Sequence, residues 1–98
     1  MISRIVKMQF RTAEIDNFKS LFDSVKEKIA GFEGNRGVQL VQDIAMPEIF
    51  FTLSIWASSE SLENYRNSEL FKNTWSKSKA LFDEQRPEAW STIVVNQA

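Results

Sequence analysis

The chain has one tyrosine, Tyr65, and no histidine or cysteine. A phenol is an apolar ring with a polar tip, so a buried Tyr65 must either find a hydrogen-bond partner or offer its hydroxyl to a cavity. Its neighbours are Asn64 and Arg66; the latter reads first as a solvated surface charge. The absences exclude a thiolate nucleophile, a Ser–His pair, a zinc site of nitrogen and sulfur ligands, and the usual axial haem ligands. No metal site is predicted. A Gly-rich phosphate loop is missing too, since Gly31, Gly34 and Gly37 all fall in one short turn-forming stretch. The carboxylate pairs Glu60/Glu63 and Asp83/Glu84 look like exposed helix charge, with no partner to tune a pKa. Asp43 falls on a predicted strand, where burial would make it the most interesting acid.

The elements that must position these groups follow from periodicity. In residues 3–11, Arg4, Val6, Met8 and Phe10 alternate with Ser3, Ile5, Lys7, Gln9 and Arg11, which predicts a strand with one buried face. Thr12 offers an N-cap to a helix whose stripe is Ile15, Phe18, Phe22, Val25 and Ile29, and Gly31 is its expected stop. Residues 33–37 read as a turn, 38–45 as a strand, and 49–56 (IFFTLSIW) as a central strand. The short 46–48 connection, with Pro47, predicts an antiparallel hairpin. Ser58 or Ser59 caps a short helix, and Ser68 starts another, bearing Phe71, Trp75 and Phe82 at steps of four and seven. Arg86-Pro87 ends that helix, and residues 90–96 form a last strand.

The resulting order is β-α-β-β-α-β, a ferredoxin-like α+β arrangement with four strands and helices on one face. The other face, around Ile5, Val41 and Ile55, would lie open unless a second sheet covers it. A homodimer packed sheet on sheet is therefore expected. One domain spans residues 1–98, because a chain this short carries a single core. With 43% hydrophobic and 26% charged residues, the composition is that of a globular domain. The net charge of −1 is spread without long runs, so nucleic-acid binding is not expected. No membrane association is expected either, and the chain reads as cytoplasmic.

The stretch IWASSESLENYRNSELFKNTW, residues 55–75, resembles the antibiotic biosynthesis monooxygenase family. The shared features are a strand ending in aromatic-x-Ser, a short helix ending in an aromatic, and then x-x-Ser-x-x-Phe. The order of elements extends the likeness from Ser3 to Asn96. The resemblance implies a dimeric α+β barrel and a superfamily that includes cofactor-independent quinone-forming monooxygenases and haem-degrading enzymes; fold does not decide among them. For the haem-degrading branch, the spacing Trp56, Tyr65, Trp75 is similar. Yet a tryptophan of that branch is Tyr65 here, its iron-ligating histidine is Trp75, and its first-strand asparagine aligns with Val6. Haem degradation is therefore disfavoured.

The cofactor-independent branch implies a different chemistry. An electron-rich phenol or anthrone, once deprotonated, passes an electron to dioxygen itself. The protein supplies an apolar cavity, a base, and a donor for the developing oxyanion. In that reading Tyr65 hydrogen-bonds a substrate oxygen, Arg66 stabilises an anion and Asn64 orients it, with no cofactor. Trp56, Phe71, Trp75 and Phe82 line the pocket, although aromatics at helical spacing are core residues by default. The expected function is a cofactor-independent monooxygenase acting on a small aromatic compound of the quinol or phenol type. The alternatives are a non-catalytic dimer that binds a small molecule, and a structural dimer whose own aromatics, Trp75 above all, fill the pocket.

Overall fold

The alternation in the first segment becomes the strand β1 (Ile2–Gln9) in the computed structural model, which describes all 98 residues. It is followed by a 3-10 turn at Thr12–Glu14, α1 (Ile15–Ala30), β2 (Asn35–Gln42), β3 (Ile49–Trp56), α2 (Ser59–Arg66), α3 (Glu69–Lys79) and β4 (Glu88–Ile93). The sheet order is β2-β3-β1-β4, antiparallel throughout. This is the ferredoxin-like α+β topology, with the helices on one face. No helix is long and apolar enough to cross a membrane.

Cross-strand pairing defines both faces, because directly opposite residues project to the same side. Arg4 lies between Ser54 and Ser91, Val6 between Thr52 and Ala89, and Met8 opposite Phe50, all toward the helices. Ile5 lies between Leu53 and Trp90 on the other side, where Phe51 faces both Lys7 and Val41. No element of the chain covers that side, and Trp90 is 43% exposed there.

Two apolar clusters fill the layer between sheet and helices. Met8, Phe10, Phe18 and Phe50 form one, with the Phe10 and Phe18 rings stacked at 4.0 Å. Ile29, Trp56, Leu62 and Tyr65 form the other, with Trp56 and Tyr65 stacked at 4.8 Å. A run of rings, Tyr65–Phe71–Trp75–Phe82–Phe10, joins them at centroid spacings of 5.3, 6.0, 5.6 and 5.3 Å.

Several boundaries differ from expectation, each for a local reason. Thr12 does not cap α1: the chain first closes a 3-10 turn in which Glu14 N–H donates to Arg11 O, and α1 starts without a side-chain cap. Gly31 keeps right-handed geometry (φ −83), and positive φ falls instead at Gly37 (φ 148) and at Gly34 (φ 88), where a Cβ would also overlap the Ser61 side chain. β2 begins at Asn35, through a bulge in which Asn35 Oδ1 accepts from Gly37 N–H at 2.7 Å, and ends at Gln42. Asp43 therefore leaves the strand and builds a turn, accepting from Ala45 and Met46 N–H at 3.0 and 2.8 Å.

The largest shift is at the end of α3, which stops at Lys79 instead of running to Arg86. Arg11 donates to the carbonyls of Ala80 (3.1 Å) and Phe82 (2.8 Å), satisfying acceptors beyond the helix end. Phe82 then pairs with Phe10 as an isolated β-bridge. The intervening chain carries Arg86 and Pro87 to β4, which starts at Glu88.

Candidate functional site

The two clusters do not close on each other. Between them, under α1, α2 and α3 and over the centre of the sheet, lies a cavity of about 340 Å³. Its volume is at the lower end of the range typical of small-molecule sites, roughly 300–1,000 Å³. Val6, Met8 and Thr52 contribute to its floor, and Leu62, Phe71 and Trp75 to its roof. Trp75 is a half-buried wall residue and leaves the space open, so the chain's own aromatics do not fill it.

α2 is the element that brings Tyr65 to the cavity. Ser58 is its N-cap, accepting from Ser61 N–H at 3.1 Å, and Asn67 ends it. Tyr65, at the buried face of the last turn, is fixed between Trp56, Phe32 and Phe71. Ser68 Oγ donates to Tyr65 O at 2.6 Å and accepts from Phe71 N–H at 3.2 Å, which locks α3 directly behind it. Tyr65 lines the cavity, and its hydroxyl has no hydrogen-bond partner in the protein. Burial pushes its pKa up to about 12, so at neutral pH it is a donor and not a base.

Arg66 also lines the cavity, from a half-exposed position where its guanidinium lies 3.5 Å from Glu63 Oε2. Phe71 and Trp75 reach the cavity as well, so four of the seven predicted site residues meet in one place. The other three do not. Trp56 is wholly buried and packs behind Tyr65, where its Nε1–H donates to Ser54 Oγ at 2.9 Å. Phe82 packs against Phe10 and Trp75 instead, because the early end of α3 takes it off the helical stripe. Asn64 lies on the exposed flank of α2, in a separate polar groove with Lys28, Phe32 and Ser61, and does not share the cavity.

Arg4 is the cavity residue that sequence reasoning passed over. It projects from β1 toward the helices, half-buried, with one guanidinium nitrogen donating to Ser91 Oγ at 2.9 Å. Its signal was available: it is the only charged residue on the apolar phase of that strand. Desolvation lowers its pKa, the charge of Arg66 lowers it further, and Glu63 partly opposes both. The wall contains no aspartate, glutamate, lysine or histidine, so no side chain there is suited to accept a proton at neutral pH.

Comparison with known proteins agrees with this architecture. A conserved protein from Methanosarcina mazei Go1 superposes with a TM-score of 0.87 at 23% identity, covering 93% of this chain and 89% of its own. A structure described as an antibiotic biosynthesis monooxygenase gives 0.89 at 19% identity, covering 98% and 100%. SnoaB, a cofactor-independent oxygenase from Streptomyces nogalater, gives 0.86 at 12% identity in a variant form, covering 98% and 94%. At these identities the likeness concerns the fold. No curated protein sequence matches the chain. The family model for antibiotic biosynthesis monooxygenases matches residues 1–76, which include β1, α1, the β2–β3 hairpin, α2 and most of α3. The chain belongs to the antibiotic biosynthesis monooxygenase family.

Proposed function

We propose that the protein is a cofactor-independent monooxygenase that oxidises a small electron-rich aromatic compound in the cavity beside Tyr65. The observation that carries this reading is an open, largely apolar space with one unpartnered phenol on its wall. Family membership and the fold shared with SnoaB support the reaction class. For an anthrone-type substrate the balance is a CH₂ group plus O₂ giving C=O plus H₂O. One oxygen atom enters the new carbonyl, the other leaves as water, and the substrate supplies all four electrons.

In this reaction the protein positions and stabilises. Leu62, Phe71 and Trp75 hold the ring system and exclude bulk water. The Tyr65 O–H donates to the substrate oxygen on which negative charge builds, and Arg66 adds a positive field at the rim. Tyr65→Phe removes that donor while keeping the ring. Oxygen-electrode traces with a dihydroquinone substrate are expected to slow by about 10²-fold, the usual effect of losing one oxyanion donor. Unchanged uptake would overturn the role of Tyr65.

The second reading is a non-catalytic dimer that binds an apolar small molecule, and the lack of a proton-accepting side chain on the wall favours it. Tight ligand binding without any oxygen uptake would select it. In both readings the protein works as a homodimer joined through the uncovered sheet face, where Ile5, Phe51, Leu53, Ile55 and Trp90 form an apolar surface with no cover in the chain. Light scattering at micromolar concentration should give twice the 11.3 kDa of one chain; a mass of 11.3 kDa would refute the pairing.

A further inference from the structure

We infer that the cavity takes its aromatic ligand as an anion, and that Arg4 is the group that binds the negative oxygen. The inference rests on the cavity being a ligand site, as proposed above, but not on turnover.

Nineteen residues line the space; two are arginines and none is acidic. The closest ion pairs in the chain are Arg11–Glu14, Lys26–Asp23 and Arg66–Glu63, so Arg4 has no carboxylate within 4.0 Å. A guanidinium carries five N–H donors and stays charged across the physiological range. Its one protein partner is the Ser91 hydroxyl. Half-burying such a group without a paired carboxylate is costly, and a second guanidinium nearby adds to the cost, which the more distant charge of Glu63 offsets only in part. A ligand oxygen bearing a full negative charge relieves both at once through a charge-assisted hydrogen bond.

Arg4, Ser54, Tyr65 and Arg66 bring polar groups to the cavity from β1, β3 and α2, while Thr52 and, on α3, Thr74 and Ser78 contribute only hydroxyls. Arg4 and Ser54 are opposite each other on adjacent strands, and the Ser54 hydroxyl, which accepts from Trp56, still has its own hydrogen to give. Tyr65 stacks on that same Trp56. The apolar side chains of Phe71 and Trp75 come from α3. An aromatic molecule with its charged oxygen at Arg4 and its rings under α3 satisfies both ends. A ligand that enters as a phenolate has already lost its O–H proton, so no wall side chain has to remove that one.

The test is isothermal titration of the wild-type chain at pH 7 with three probes. They are 2-naphthoate, its neutral isostere 2-naphthamide, and 2,4-dinitrophenol, which is ionised at that pH. The carboxylate should bind roughly 10- to 100-fold tighter than the amide, the range expected for hydrogen bonds to a charged group. A preference for naphthoate identifies a carboxylate ligand, and a preference for dinitrophenolate an ionised hydroxyl; either supports the inference. Arg4→Gln should abolish the difference between acid and amide, and Arg4→Lys should restore part of it. Equal binding of naphthoate and naphthamide by the wild type, with dinitrophenolate no tighter than either, overturns the inference, whatever the variants do. Binding by none of the three probes overturns it as well. Oxygen uptake with a neutral dihydroquinone, together with charge-blind binding, would leave the oxygenase reading standing and remove this one alone.

Discussion

The Phe10 cluster and the Tyr65 cluster are built from the same kinds of side chain under the same sheet, but they do different things. Around Phe10 the rings pack on one another and on apolar neighbours, Phe82 and Trp75 among them: Phe10 and Phe50 are 1% exposed and stack or cross with Phe18. None of its four buried residues carries a side-chain nitrogen or oxygen. Around Tyr65 two of the four buried residues carry a polar atom. The Trp56 nitrogen is satisfied by Ser54, while the Tyr65 hydroxyl is left without a protein partner. The difference teaches that one end of the layer holds the fold and the other presents chemistry, with the cavity at their boundary.

The largest expected effect tests the supporting end. Phe10→Ala removes a fully buried ring that contacts Phe18, Phe50 and Phe82, and should cost about 3–5 kcal/mol in denaturant-induced unfolding. A loss below about 1 kcal/mol would mean that the cluster is not the anchor its packing suggests.

An intermediate effect tests the other end through pH. Tyrosine in the unfolded chain ionises near pH 10, whereas Tyr65 in the folded chain holds its proton to about pH 12. Between those values the folded state binds the extra proton, so stability is full below pH 10 and falls as pH rises toward 12. The loss attributable to Tyr65 should approach about 2–3 kcal/mol. The measurement is the difference between wild type and Tyr65→Phe, since the lysines titrate in both. The smallest expected effect comes from the same variant at pH 7, where removing an unpartnered hydroxyl should change stability by no more than about 0.5 kcal/mol. Parallel pH curves for the two proteins would show that Tyr65 is not shielded and would weaken the contrast between the clusters.

The fold was largely legible because periodicity reports burial directly. The alternation in β1, the stripe in α1 and the apolar run of β3 all reappear, and Ser58 and Ser68 cap as their residue type predicts. Reading failed where a distant residue decided a local outcome. α3 ends early in company with Arg11, more than sixty residues away in sequence, and Asp43 turns the chain because the hairpin register leaves it outside the ladder.

The site divides in the same way. Residue types alone determined that no histidine or cysteine chemistry operates here, since absence needs no geometry, and that Tyr65 is a phenol needing either a partner or a cavity. Tertiary structure decided which answer Tyr65 received, because a cavity is the space left between elements and no single element encodes it. It also moved Trp56 behind the wall, Asn64 to the outer flank and Phe82 into the opposite cluster. Arg4 came forward only then: an arginine on a strand's apolar phase becomes informative once no carboxylate proves to lie within 4.0 Å of it.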